Sequence, residues 1–173
     1  RPTDSNVGRA HRRRADMSHQ LTIQDVFIPG ITGFSPWDPS LRGVEFVEFK
    51  RVVHDVARAT KATVQNFRKA DVGNNHHAAK VRLRWAGDEV YVLCNQTTTF
   101  LSFSREVAPE HFVDGDEFSA QLSVLHPQWK SPPTSLLNRM PTQEELALLH
   151  SIEREQVKYF GPLTVGQIVF NMF

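Results

Sequence analysis

Midway along the chain the hydrophobic period changes, and that change constrains the fold more than any other feature of the sequence. In "VEFVEFKRVVHDVARAT" apolar residues recur at Phe46, Phe49, Val53 and Val56, with Val52 beside them. That is the spacing of a helix with one buried face, and it predicts a helix over 44–59. Further on, "KVRLRW" places Val81, Leu83 and Trp85 on one side and Lys80, Arg82 and Arg84 on the other. This two-residue alternation is that of a half-covered strand. Helical and strand periods in separate blocks point to the α+β class.

The strand block extends both ways. "ATVQNFR" (62–68) precedes it; after the turn "AGDE" come "VYVLCN" (90–95), apolar enough for a strand covered on both faces, and "TTTFLSFS" (97–104). Together these predict an antiparallel meander of three or four strands. The row Lys80, Arg82 and Arg84 reads as a solvated face. Beyond Arg105 the pattern turns helical again. "DGDEFSAQLSVL" is a short helix that Asp114 or Asp116 could cap, and 126–141 is a Pro-rich connection. "TQEELALLHSIEREQVKYF" reads as one helix. A Thr142–Glu145 capping box opens it, Leu146, Leu149 and Ile152 give its stripe, and Gly161-Pro162 stops it. In "TVGQIVFNMF", Thr164 can cap, and Val165, Ile168, Val169 and Met172 sit at helical spacing. A short helix is favoured over a strand there, although Gly166 weakens it. The expected architecture is a single α+β domain over 17–173. One helix precedes a three- to four-stranded antiparallel meander, and two to three C-terminal helices pack on one sheet face. The apolar ending without a closing cap reads as a C-terminus cut short.

Charge is unevenly placed. The formal net charge is +1, but residues 1–16 hold five Arg and two Asp. They read either as a basic arm for nucleic acid or, preferably, as a disordered leader that is not native, since Met17 opens ordinary domain sequence. The remainder is near neutral, so nucleic acid is not expected as a partner except through that leader. No apolar run approaches the roughly 18 residues of a membrane span. The one cysteine, Cys94, cannot form an internal disulfide, which makes a cytoplasmic setting the default.

Motifs for chemistry are mostly absent: no phosphate-binding Gly loop, no G-x-S-x-G elbow, no H-E-x-x-H and no paired C-x-x-C. No catalytic residue, metal site or cofactor is therefore assigned. The strongest candidate site is "DVGNNHHAAK" (71–80), with Asn74, Asn75, His76 and His77. A His there could act as a base or ligand. Adjacent side chains on an extended segment point to opposite faces, however, and a polar turn is the favoured reading. Cys94 lies in an apolar strand and reads as a buried structural thiol. Trp37, in the Gly/Pro-rich connection 27–43, is either a partner anchor or, preferably, a ring folded over the core edge.

The segment "VKYFGPLTVGQIVFN" resembles the C-terminal signature Y-x-x-P-x-T-V-G-x-x-x-F-N of small, mostly uncharacterised actinobacterial α+β proteins. Tyr159, Pro162, Thr164, Val165, Gly166, Phe170 and Asn171 match it. Phe160 stands where that signature usually has Trp, and its closing Asp is not present. The resemblance covers about the last fifteen residues and, loosely, the strand hairpin. Some proteins of this group resemble immunity proteins of toxin systems, so the resemblance implies a binder of another protein and transfers no catalytic residue. The expected function is a non-enzymatic protein-interaction domain, with a small enzyme or ligand-binding domain at His76 and His77 as the alternative.

Overall fold

The structure is a computed structural model, which describes residues 21–34, 41, 43–84 and 88–172. A short helix α1 (Ile23–Val26) and a long α2 (Phe46–Thr60) precede a five-stranded antiparallel sheet. Its strands are β1 (Thr63–Arg68), β2 (His76–Arg82), β3 (Glu89–Asn95), β4 (Leu101–Ser104) and β5 (Phe112–Val113), and they lie side by side in chain order. The helices α3 (Asp116–Leu125), α4 (Thr134–Leu137), α5 (Gln143–Leu146), α6 (Ser151–Phe160) and α7 (Val165–Val169) follow. The α+β class and the meander are as the periods predict; the sheet gains one short edge strand.

Helix α2 forms where its stripe predicts. Phe49, Val52, Val53 and Val56 are fully buried, each contributing about 1.5–3 kcal/mol through burial. They meet Ala79, Val81, Val92 and Cys94 from the sheet, and Phe118 and Leu122 of α3 join the same cluster. The intervening strand residues point the other way. Ala78 and Leu93 pack with Phe112, Leu137, Val157, Ile168 and Phe170 in a second cluster that also takes in Ile23, Val26 and Ile31. Helices therefore cover both faces of the sheet, not one. The face bearing Lys80 and Arg82 is solvated only towards its end, where both cations pair with Glu89, at 2.6 and 3.0 Å. Nearer the start of β2 the same face is core. A mixed face of this kind reads as an alternation at one end and a continuous apolar run at the other.

The expected helix over 142–160 is two helices. Thr142 Oγ1 accepts from Glu145 N–H (3.2 Å), and Glu145 Oε2 accepts from Thr142 N–H (2.8 Å), so the capping box opens α5 as predicted. The chain then breaks across 147–150 and restarts at Ser151. The restart is fixed by Glu153, whose Oε2 accepts the His150 N–H at 3.0 Å. The C-terminal segment is helical, with a second capping box between Thr164 and Gln167. Gly166 has a packing reason: a Cβ at this position would fall inside the Phe112 ring. At α3 the N-cap is Gly115 rather than Asp114 or Asp116. Asp114 instead accepts from Thr134 Oγ1 at 2.7 Å, tying the sheet edge to α4. The connection 126–141 contains α4 and the fully buried Trp129. No helix among the described residues is long and apolar enough to cross a membrane.

Candidate functional site

The polar turn expected within 71–80 is shorter than the sequence suggests. Asp71 and Asn74 close it, with Asn74 N–H donating to Asp71 O at 3.0 Å. Gly73 (φ 83°) supplies the left-handed residue, a conformation favoured by the absence of a Cβ. Asn74 supports its exit, its Oδ1 accepting from His76 N–H at 3.1 Å. From Asn74 onward the chain enters the core: Asn74, Asn75, His76 and His77 are all buried. Trp37 lies outside the described residues.

His76 and His77 open β2 and point to opposite faces, as adjacent strand residues must. His77 stacks near Phe49 (5.7 Å between ring centres) under α2. The Ala70 N–H donates to its Nδ1 at 2.9 Å, so its proton sits on Nε2, which donates to Val44 O at 3.0 Å. Both nitrogens are occupied within the fold. His76 faces the other layer, edge-on to Phe170. Its Nε2 lies 3.0 Å from Val107 O and donates to it, while Nδ1 makes no hydrogen bond. Burial lowers the His76 pKa to about 4, with the carbonyls of Val107 and Asn171 acting the other way. Burial lowers His77 as well, opposed by the Val44 carbonyl. Both rings are thus held neutral at pH 7, and one is on each side of the sheet.

Cys94 is opposite His77 in the β2–β3 register and is fully buried. Burial pushes its thiol well above the ordinary range, and the Sγ–H points to Asn95 O at 3.4 Å. A nucleophilic thiolate needs the reverse environment. Among the described residues no group of three His, Cys, Asp or Glu side chains could hold a metal ion.

What the segment does build is a clamp of buried amides. Asn75 Nδ2 donates to Ile31 O and Val169 O at 3.1 and 3.0 Å. Asn95 Nδ2 donates to the same two carbonyls at 2.9 and 2.6 Å. Two amide groups bring four hydrogens, and two carbonyls offer four lone pairs, so the match is complete. Asn171 continues the clamp, donating to Thr32 O at 2.9 Å and accepting from Asn75 N–H at 3.2 Å. Glu153 completes it. Its Oε1 accepts from Thr32 N–H (3.1 Å) and Thr32 Oγ1 (2.6 Å), and its Oε2 accepts from Gly30 N–H (3.0 Å) and His150 N–H (3.0 Å). Sequence reasoning missed Asn95, Thr32 and Glu153. One signal was available for Glu153: it lies in the stripe Leu149–Glu153–Val157, a polar residue where the period demands burial.

The clefts lie elsewhere. One, of about 290 Å³, is lined by Leu83, Arg84, Asp114, Glu117 and Phe118 beside α3. A larger groove, of about 690 Å³, runs between α5 and α6. No protein-family model matches the chain, and no curated protein or solved structure matches it at a significant level.

Proposed function

We propose that the chain is a non-enzymatic protein-interaction domain, of the immunity type implied by its C-terminal resemblance. One observation carries this reading. The residues best suited to chemistry are buried and engaged inside the fold, whereas large apolar side chains stand exposed along the C-terminal helices. Leu148, Ile152, Tyr159 and Phe160 are exposed in and beside α6, and Tyr159 is 82% accessible. Clustered exposed apolar residues mark surfaces that partners cover. The matched residues Thr164, Gly166, Phe170 and Asn171 fit the same view, because each serves packing or capping and none is offered to a substrate. Catalysis or ligand binding at His76 and His77 has against it that both rings are inaccessible without opening the sheet.

The test is a quantitative pull-down of the tagged protein from lysate of its source organism. The expected result is one stoichiometric protein partner, and an immunity role requires that the partner be an enzyme whose activity falls on binding. A capture profile indistinguishable from a tag-only control would sink the reading.

A further inference from the structure

Resting on the protein-binding reading above, we propose that the groove between α5 and α6, which none of the exposed Leu148, Ile152, Tyr159 and Phe160 lines, is a docking surface in its own right, and that it takes an acidic amphipathic segment of the partner. Its floor and walls are apolar, formed by Met140, Leu146, Val157 and Leu163. Two cations, Arg154 and Lys158, line it, and no carboxylate does. They sit one helical turn apart on α6 with Val157 between them, so they face the same way. Both are exposed. Arg154 is committed only to a long hydrogen bond to Ala147 O (3.4 Å), and Lys158 has no ion-pair partner among the described residues. Near the groove Arg139 is instead held by Glu145 at 2.6 Å, as Lys80 and Arg82 on the sheet are held by Glu89.

This arrangement sets the chemistry of the occupant. An apolar side chain fills the groove, as an amphipathic helix fills a hydrophobic groove. Carboxylates one turn apart on the same face meet Arg154 and Lys158, and such complementary charge sets partner choice and orientation. Nucleic acid fits less well, because no aromatic ring lines the groove as a stacking platform. A bilayer fits less well too, because the groove's apolar surface is recessed between two helices, whereas interfacial helices present a protruding apolar face.

The experiment selects short random peptides displayed on phage against the intact protein. Affinities of recovered peptides are then measured by fluorescence anisotropy on wild type and on Arg154→Glu/Lys158→Glu. Both positions are exposed, so the double variant keeps the fold, and circular dichroism checks this. A second variant, Met140→Glu, puts a negative charge at a half-exposed groove position. We expect peptides that alternate Asp or Glu with large apolar residues, and an affinity loss of about tenfold or more on either variant. Basic or uncharged winners, no winners, or winners that bind both variants as wild type would overturn the proposal. So would binding to phosphatidylserine vesicles that depends on Arg154 and Lys158 with no peptide binding, or self-association that occupies the groove. If a pull-down partner binds the double variant undiminished, the domain remains a binder and this surface is discarded. If there is no partner at all, the functional reading itself falls.

Discussion

Replacing Glu153 with Gln tests the account of the buried clamp most directly. Glu153 is fully buried, and its two oxygens take four donors: Gly30 N–H, Thr32 N–H, Thr32 Oγ1 and His150 N–H. Glutamine has nearly the same shape but only one acceptor oxygen. Its amide nitrogen must face two of those donors, so two hydrogen bonds are lost and N–H groups are set against each other. Hydrogen bonds to charged groups contribute roughly 1.5–3 kcal/mol each, which puts the expected loss at about 3 kcal/mol or more. That is a large share of a typical domain's stability of roughly 5–15 kcal/mol. Urea unfolding followed by far-UV circular dichroism measures it. With a slope of roughly 2 kcal/mol per molar, the midpoint falls by about 1.5 M. Glu155→Gln, two residues on and exposed, is the control and should be near neutral. If Glu153→Gln shifts the midpoint no more than this control, the four-donor cage does not hold the 30–32 segment to α6, and the explanation for the helix break fails with it.

Gly166→Ala forces Phe112 out of its place in the core and should cost about 1–3 kcal/mol, read as a lower Tm in calorimetry. His76 gives a pH dependence. Its folded pKa of about 4 lies below the unfolded value of 6.5, so the unfolded chain takes up a proton first. The contribution is intact above pH 6.5 and is lost as pH falls towards 4, by roughly 3 kcal/mol at 1.36 kcal/mol per unit. Glu89 and Glu145, held near 2 by hydrogen bonds from Lys80 and Arg139 respectively, add losses only below pH 4.5. Urea midpoints between pH 6.5 and 4.5 thus isolate the histidines, and a flat profile there would count against the burial of His76. Cys94 should react with an aromatic disulfide reagent about a hundredfold more slowly in the native protein than in denaturant; comparable rates would show the thiol to be accessible.

Much of this architecture is legible in the chain because one period dominates each block. Phe49, Val53 and Val56 announce α2 correctly, and the Thr142–Glu145 capping box and the Thr164 cap fall where their residue types place them. The failures have a common cause. Local pattern does not say what lies across a sheet, so Lys80 and Arg82 suggest an open face while Ala78 and Leu93, farther along it, are covered by the C-terminal helices. Asn74, Asn75, His76 and His77 have turn-like composition, but only Asp71 to Asn74 turns. The rest are buried because distant carbonyls at Ile31, Val44, Val107 and Val169 receive their hydrogens, and such pairings leave no trace in a window of neighbours. Glu153 splits the expected helix for the same reason: its donors at Gly30 and Thr32 are more than a hundred positions upstream in the chain.

The amide clamp also sets an order of events during synthesis. Asn75 and Asn95 reach the ribosome exit long before Val169, and Thr32 long before Asn171, to which it is bound across 139 residues. Until α7 emerges, the amides of Asn75 and Asn95 lack one of their two acceptors, and the layer that α7 covers is open to water. Contacts this far apart close slowly, because a long loop must be ordered before they can form. From the emergence of β5 until that of α7 the nascent domain is therefore a sheet with one layer uncovered, exposed to proteases and chaperones. Asn171 closes that layer by donating to Thr32 O.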